Sequence, residues 1–233
     1  MEGVARRFGG RWALRGVSMR VRQGEVLAIR GSNGSGKSTL LRIVASALRP
    51  TRGTCSVFGH DVVKDARGVR PLVGLLGHAS ALYQDLTVAE NLRFAARMTG
   101  LPDDERAIAA AIDAVGLGAA AQERARNLSS GMQRRVGLAR LNMRAPKLLL
   151  LDEPYNSFDA DGVELVNRLV RATRDAGGAT LLITHDLDRV GRHADRAVTM
   201  EAGLLLAVES GGAAPPVSAL PRSSARVAIE GSR

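Results

Sequence analysis

Short apolar runs and helical patterns alternate along most of the chain. Runs of strand length lie at residues 25–30, 73–76, 147–152, 179–183, 196–200 and 204–208. Between them apolar residues recur at helical spacing, as in the segment that starts at Ser38 and is expected to end at Pro50. Strands that alternate with helices predict an α/β fold in which a parallel sheet is covered on both faces.

The middle of the chain is alanine-rich and helical. Thr87, followed three residues later by Glu90, has the spacing of a capping box at the start of a helix. A second helix is expected to open at Pro102 and to run to about Val115. We therefore expect a helical subdomain inserted at about residues 81–144.

The two ends of the chain differ from the rest. Residues 3–26 mix apolar residues with Arg and Gly at short spacing, which predicts strands and turns. A short helix is expected from Asp186. Residues 211–233 are rich in Gly, Ala, Pro and Ser without a period and are expected to be disordered, which leaves a single domain over residues 1–210.

The net charge of +10 at pH 7 raises nucleic acid or an anionic membrane surface as possible partners. The charge is spread along the chain, however, and no block of five or six like charges occurs. A dispersed arginine bias is more typical of coding composition than of a binding surface. We therefore expect no nucleic-acid partner.

Apolar segments of membrane-spanning length are absent from the sequence, since none approaches about 20 residues. The first ten residues lack the apolar stretch of a signal peptide. Cys55 is the single cysteine, which excludes a disulfide framework and a cysteine-based metal cluster. These observations predict a cytoplasmic protein.

A glycine-rich segment between a predicted strand and a predicted helix has the spacing G-x-x-x-x-G-K-[ST] of a phosphate loop. Its backbone N–H groups and the helix N-terminus suit the phosphates of a nucleotide such as ATP. Lys37 is expected to reach the β- and γ-phosphates, and the Ser38 hydroxyl is expected to hold Mg²⁺. The alternative is a chance glycine-rich turn. The candidate residues are Gly31, Ser32, Asn33, Gly34, Ser35, Gly36, Lys37, Ser38 and Thr39.

Two carboxylates, Asp152 and Glu153, follow directly after the apolar strand 148–151. This places Asp152 at the carboxyl edge of the sheet, beside the phosphates, where it can hold Mg²⁺ through water. Glu153 is then the candidate general base for the attacking water. Paired acids after a strand also occur in helix caps, so the phosphate loop is what favours the catalytic interpretation.

The segment Leu128-Ser129-Ser130-Gly131-Met132-Gln133-Arg134-Arg135 resembles the signature of ATP-binding-cassette (ABC) transporter subunits, L-S-G-G-Q followed by a basic helix. The resemblance to this family covers about residues 3–208. It implies an α/β fold: a RecA-like phosphate-loop NTPase core of parallel strands, an N-terminal antiparallel β-subdomain and an inserted helical subdomain. It also implies an ATP hydrolase that uses ATP and Mg²⁺.

The resemblance further implies how the subunits assemble. In this family Ser129, Ser130 and Gly131 would close on the γ-phosphate of ATP in a second subunit, within a head-to-tail homodimer. The helical subdomain would dock an integral-membrane permease, with the protein peripheral on the inner face of the membrane. Ser130 and Met132 depart from the usual glycine and glutamine, which puts the glutamine's hydrogen bonds in doubt.

Smaller matches to the family add further candidates. Asp159 resembles the acid of the dimer-contact turn, and His185 resembles the switch histidine that contacts the γ-phosphate and the attacking water. Phe8 matches the aromatic residue that stacks on adenine, with Trp12 as its rival. His78 stands where the family places a Mg²⁺-binding glutamine, and Gln84 is the alternative for that role.

The strings around His78 and at residues 85–94 and 151–155 look like those of the haem-exporter subunit used in cytochrome c maturation. Other small exporters of drugs, polysaccharides or lipids share these strings. A soluble ABC protein acting on ribosomes or DNA and a phosphate-loop kinase are the readings from other classes. The first usually carries two cassettes, and the second has no use for the segment 128–140.

Overall fold

The computed structural model describes residues 1–77, 81–185 and 194–210, with side chains to residue 206. The strands are β1 (Glu2–Phe8), β2 (Arg11–Val17), β3 (Val26–Arg30), β4 (Arg52–Thr54), β5 (Ser56–Val57), β6 (His60–Asp61), β7 (Val73–Leu76), β8 (Leu148–Asp152), β9 (Ala179–Ile183), β10 (Arg196–Glu201) and β11 (Leu204–Ser210). The helices are α1 (Lys37–Val44), α2 (Ala66–Leu72), α3 (Val88–Thr99), α4 (Glu105–Asp113), α5 (Ser130–Arg144) and α6 (Ala160–Asp175).

A six-stranded sheet in the order β11-β10-β3-β9-β8-β7 forms the centre of the fold. All neighbours are parallel except β11, which pairs antiparallel with β10. Every residue of β8 and β9 is buried, as expected for strands with both faces covered. The predicted parallel sheet is confirmed, and its strands β3, β8 and β9 end at the same edge.

The N-terminal segment forms a separate antiparallel sheet in the order β2-β1-β4. A two-residue turn at Gly9 and Gly10 joins β1 to β2, and the positive φ of 53° at Gly9 suits glycine. β5 and β6 form a further two-stranded pair. The antiparallel β-subdomain implied by the sequence is therefore present.

Helices α3, α4 and α5 lie between β7 and β8 in the chain and pack on one another. Leu92, Ile108 and Val136, one from each helix, belong to the same buried cluster. The capping box predicted at Thr87 is present, since its hydroxyl accepts from the Glu90 N–H at 3.1 Å and the Glu90 carboxylate accepts from the Thr87 N–H at 2.8 Å. A helical unit is therefore inserted between β7 and β8, while its predicted bounds of about 81–144 stay a prediction.

Three local predictions need correction or lie outside the described residues. The helix expected to reach Pro50 ends at Val44, because Ser46 takes a left-handed φ of 55° that an α-helix does not contain. Helix α2 was not predicted, since Gly68 and Pro71 are poor helix formers. The helix expected from Asp186 and the tail 211–233 fall outside the described residues.

No helix in the part of the chain that the structure describes has both the length and the apolar composition of a membrane span.

The cap of α3 gives a test of the helical subdomain. Replacing Thr87 with Ala removes the side-chain acceptor of the capping box and should lower the free energy of unfolding by about 1 kcal/mol. The control is Thr99→Ala in the last turn of the same helix, whose exposed hydroxyl donates only to helix carbonyls. It should change stability by no more than about 0.5 kcal/mol. Equal losses for both variants in urea unfolding would contradict the cap's role.

Candidate nucleotide-binding site

One cavity of about 370 Å³ lies at the carboxyl edge of the central sheet. It brings together the segment that follows β3, the end of β8 and the second residue after β9. Open α/β sheets bind their ligands at this edge. The lining residues are Ala13, Asn33, Gly34, Ser35, Gly36, Lys37, Ser38, Thr39, Asp152, Glu153, Asn156 and His185.

The phosphate-loop segment lies against the backbone of two strands from different sheets, β10 and β2. A Cβ atom on Gly31 would stand 2.0 Å from the Met200 carbonyl oxygen, and one on Gly36 would stand 2.4 Å from that of Ala13. Both glycines also have positive φ angles, 149° and 105°. Only glycine fits these two positions, which leaves the N-terminus of α1 facing the cavity.

Lys37, the first residue of α1, lies almost fully buried beneath this loop. Its ammonium donates to the carbonyl oxygens of Gly31 at 2.7 Å and Ser32 at 2.9 Å. Both acceptors are neutral, so an anionic phosphate oxygen would be a stronger partner. The Ser38 side chain on the next position is exposed at the cavity.

The two carboxylates at the end of β8 lie in different environments. Asp152 is the last residue of the strand and is 8% exposed, while Glu153 has a left-handed φ of 50°. Burial raises the pKa of the Glu153 carboxyl, and the nearby His185 and Lys37 oppose that shift. A carboxylate with a raised pKa beside a cavity is suited to accept a proton.

His185 lies next to Glu153, and both residues line the cavity. Its Nε2 atom is 3.0 Å from Glu153 Oε1, but the pair is not aligned for a hydrogen bond. This buried carboxylate oxygen therefore has no hydrogen-bond partner among the described residues. The imidazole, in contrast, is largely exposed and can turn toward a ligand.

The signature-like segment lies outside this cavity. Ser129 caps α5 by accepting from the Met132 N–H at 3.2 Å, and a Cβ on Gly131 would stand 2.8 Å from the Ser157 carbonyl oxygen. Ser129 and Ser130 are exposed. The start of α5 is therefore an open helix N-terminus that does not line the chain's own cavity.

Asp159 connects the signature helix to the segment after Glu153. Its Oδ1 atom accepts from the Gly162 N–H at 2.8 Å, which caps α6, and from Arg135 at 3.0 Å. These hydrogen bonds and the Arg135 charge lower the pKa of the Asp159 carboxyl, with the Gly162 bond as the main cause. Asp159 does not line the cavity.

The aromatic candidates lie on the antiparallel sheet, outside the cavity lining. Phe8 is 47% exposed, and the Arg6 guanidinium stands 4.5 Å from its ring centre. Trp12 packs against Arg7 and precedes Ala13, which lines the cavity. The choice between Phe8 and Trp12 therefore stays a prediction.

Of the two candidates for the glutamine role, the structure describes only Gln84. His78 lies outside the described residues. Gln84 donates through Nε2 to the Leu82 carbonyl oxygen at 3.3 Å and does not line the cavity.

Sequence reasoning missed three contributors, of which Asn156 lines the cavity shortly after Glu153. Ala13 acts through its carbonyl oxygen, for which a sequence carries no side-chain signal. Arg134 is 7% exposed and donates to the Glu153 carbonyl oxygen at 2.8 Å. The sequence feature that could have identified Arg134 is a charged residue on α5 close to residues that are buried, including Val136 and Leu138.

The phosphate loop, the paired carboxylates and the capped helix define a nucleotide-binding domain of the phosphate-loop class. A family model described as ABC transporter matches residues 14–156. A solved structure described as the ATP-binding subunit of an ABC transporter superposes with a TM-score of 0.82 at 26% identity, covering 90% of this chain and 88% of that one. The chain belongs to the ABC transporter family and is an ATPase domain of that family.

Curated relatives have different transport roles. The daunorubicin resistance ATP-binding protein DrrA3 of Streptomyces coeruleorubidus is 37% identical over 89% of this chain. The methionine import ATP-binding protein MetN of Caulobacter vibrioides is 37% identical over 84% of it. The cytochrome c biogenesis ATP-binding export protein CcmA of Bordetella bronchiseptica is 38% identical over 79% of it. The chain spans 66% of the first relative's length, 61% of the second's and 81% of the third's.

Stability should depend on pH through Glu153. Because burial raises its pKa above the ordinary 4.5, the folded protein holds this proton more tightly than the unfolded chain does. Ionisation of the Glu153 carboxyl therefore lowers the free energy of unfolding as pH rises above 4.5. Below pH 4.5 the carboxyl is mainly protonated in both states, and this effect is absent. Glu153→Gln should raise the Tm relative to wild type at pH 7.5, and the difference should shrink as pH falls toward 4.5.

The check is thermal unfolding of both proteins across that pH range without nucleotide. An exposed acid on α6, Asp161, serves as the control, since Asp161→Asn should give no difference of this shape. A Glu153→Gln variant that is less stable than wild type at pH 7.5 would contradict the account of its burial.

Proposed function

We propose that this chain is the ATP-binding subunit of an ABC exporter, in which ATP binding and hydrolysis drive transport through an integral-membrane permease. The observation that carries the proposal is the single cavity in which the phosphate loop meets Asp152, Glu153 and His185. A lysine ammonium and a helix N-terminus suit a triphosphate, and the carboxylates suit a metal ion and a water.

The oxygen donors at this edge fit Mg²⁺. The Ser38 hydroxyl and the Asp152 carboxylate both line the cavity, and hard oxygen ligands are the ones that Mg²⁺ prefers. When bound, the ion would supply charge neutralisation on the β- and γ-phosphate oxygens. We also propose His78 as an outer ligand, on the resemblance alone.

Hydrolysis would then depend on two side chains beside the γ-phosphate. Glu153 would accept a proton from the attacking water, for which its raised pKa suits it. Its Oε1 atom also has no hydrogen-bond partner among the described residues. His185 would donate a hydrogen bond to the γ-phosphate, and the Lys37 ammonium would compensate the negative charge of that phosphate. Phe8 would stack on the adenine. Most of the rate would come from positioning and charge stabilisation.

A second copy of the chain would complete each site. Ser129, Ser130 and Gly131 form an exposed helix N-terminus that suits an anion but lies outside the chain's own cavity. In a head-to-tail homodimer this terminus would face the γ-phosphate held by the other copy. Asp159, at the neighbouring turn, would lie at the contact between copies.

The helical subdomain at about 81–144, within a single domain over 1–210, would dock the permease. It presents three exposed apolar side chains: Tyr83 and Phe94 stack edge to face at 4.8 Å, and Met98 is 70% exposed. Exposed apolar groups of this kind suit a partner helix. The protein would then lie in the cytoplasm, peripheral on the inner face of the membrane.

Haem export for cytochrome c maturation is the transport role that we propose. The support is the motif likeness around residues 78, 85–94 and 151–155, together with the match to CcmA, whose length the chain covers most fully among the three relatives. Drug export is the second candidate, because the match to DrrA3 covers the largest share of this chain.

The test is covalently bound haem in cells that lack this protein. Complementation with wild type should restore haem-stained c-type cytochromes, and Glu153→Gln should not, because hydrolysis would lack its base. Asp161→Asn is the matched control and should restore haem as wild type does.

Haem staining that is unchanged when the protein is absent would contradict the haem role. A drug-sensitivity assay on the same strains then decides the second candidate, which predicts lower resistance in cells without the protein. Restoration by Glu153→Gln would contradict the assignment of the base.

A further inference from the structure

A buried arginine joins the signature helix to the carboxylate at the centre of the site. Arg134 lies on the first turns of α5, is 7% exposed, and donates through one terminal nitrogen to the Glu153 carbonyl oxygen at 2.8 Å. Buried arginines usually pair with a carboxylate. Here the hydrogen-bond partner is instead the backbone of the candidate general base.

The backbone of Glu153 has a conformation that needs support. Its φ of 50° lies in the left-handed region, which a side chain larger than glycine's adopts at a cost. The Glu153 N–H donates to the Ile183 carbonyl oxygen of β9 at 3.0 Å, and its carbonyl accepts from Arg134. The Glu153 carbonyl also accepts from the Asn156 N–H at 3.3 Å, so three hydrogen bonds hold the residue on both sides of its Cα atom. Arg134 donates the shorter of the two bonds to the carbonyl and the only one of them from a side chain.

The charge of Arg134 also acts on this edge of the sheet. Burial lowers the pKa of its guanidinium, and the carboxylates of Asp152 and Glu153 oppose that shift. An arginine stays charged in proteins, so a positive group stands behind both carboxylates on the side of α5. It is separate from Lys37, which approaches from the phosphate loop.

We propose that Arg134 is a positioning residue for ATP hydrolysis, which holds the Glu153 main chain so that its carboxylate faces the phosphate cavity. The inference rests on the proposed function. Because Arg134 and the capping residue Ser129 belong to the same helix start, a shift of α5 when it meets the partner copy's nucleotide also moves Glu153. One copy's signature helix thereby acts on that copy's own catalytic base.

The test compares Arg134→Met and Arg134→Lys in the full chain. Methionine fills the space without a donor, so kcat should fall by about 10- to 100-fold, as for a misplaced catalytic group. The KM and the affinity for MgATP should stay within about twofold, because Lys37 and the loop are untouched. Lysine keeps a cationic donor on a shorter stem, so its kcat should lie between methionine and wild type, at least about threefold below the latter.

The control is Arg144→Met at the other end of α5. Arg144 also donates to a main-chain carbonyl, that of Arg70 at 2.8 Å, but far from the cavity. Both methionine variants lose one such bond and should lose similar Tm, whereas only Arg134→Met should lose kcat. This comparison separates positioning from general stability.

Three outcomes overturn the inference. They are a wild-type kcat in Arg134→Met, a loss of kcat that only follows loss of MgATP binding, and an equal loss in Arg144→Met. Should Arg134→Met not fold, Arg134→Lys decides, and a wild-type kcat there overturns it. A wild type that binds and hydrolyses no ATP contradicts the proposed function itself, and with it this inference.

Discussion

The close contact between the phosphate loop and two strand backbones is the constraint on which the site depends. Gly31 meets the Met200 carbonyl of β10, and Gly36 meets the Ala13 carbonyl of β2, at distances that leave no room for a Cβ atom. The loop therefore closes only when the antiparallel and central sheets are in place. Once closed, it leaves Lys37 and the N-terminus of α1 directed at one cavity. The N-terminal subdomain is thus part of the phosphate site.

The second constraint is the burial of charge at the carboxyl edge of the sheet. Strands β8 and β9 are wholly buried, so Asp152 at the end of β8 and Glu153 just after it lie in a poorly solvated region. This raises the pKa of Glu153, while the charged side chains of Lys37 and Arg134 lie near it. Ionising this carboxyl costs stability, which is the compromise expected for the general base that we propose.

The sequence predicted those features that depend on local chemistry or on continuous burial. The phosphate loop, the capping box at Thr87 and the strands β8 and β9 have patterns that neighbouring residues alone determine. Features set by distant backbone were missed, such as the Ala13 carbonyl against Gly36 and the bond from Arg134 to Glu153. The end of α1 was placed too late because the left-handed turn after it carries no glycine. The catalytic and metal-binding roles remain predictions.

In the dimer that we propose, a nucleotide is enclosed by the loop of one copy and the α5 start of another. The most direct test of this arrangement is the oligomeric state of Glu153→Gln, measured by size-exclusion chromatography with light scattering. The account predicts a monomer without nucleotide and a stable dimer with ATP, and no dimer when Lys37→Met is added. A Glu153→Gln protein that stays monomeric with saturating ATP would contradict it.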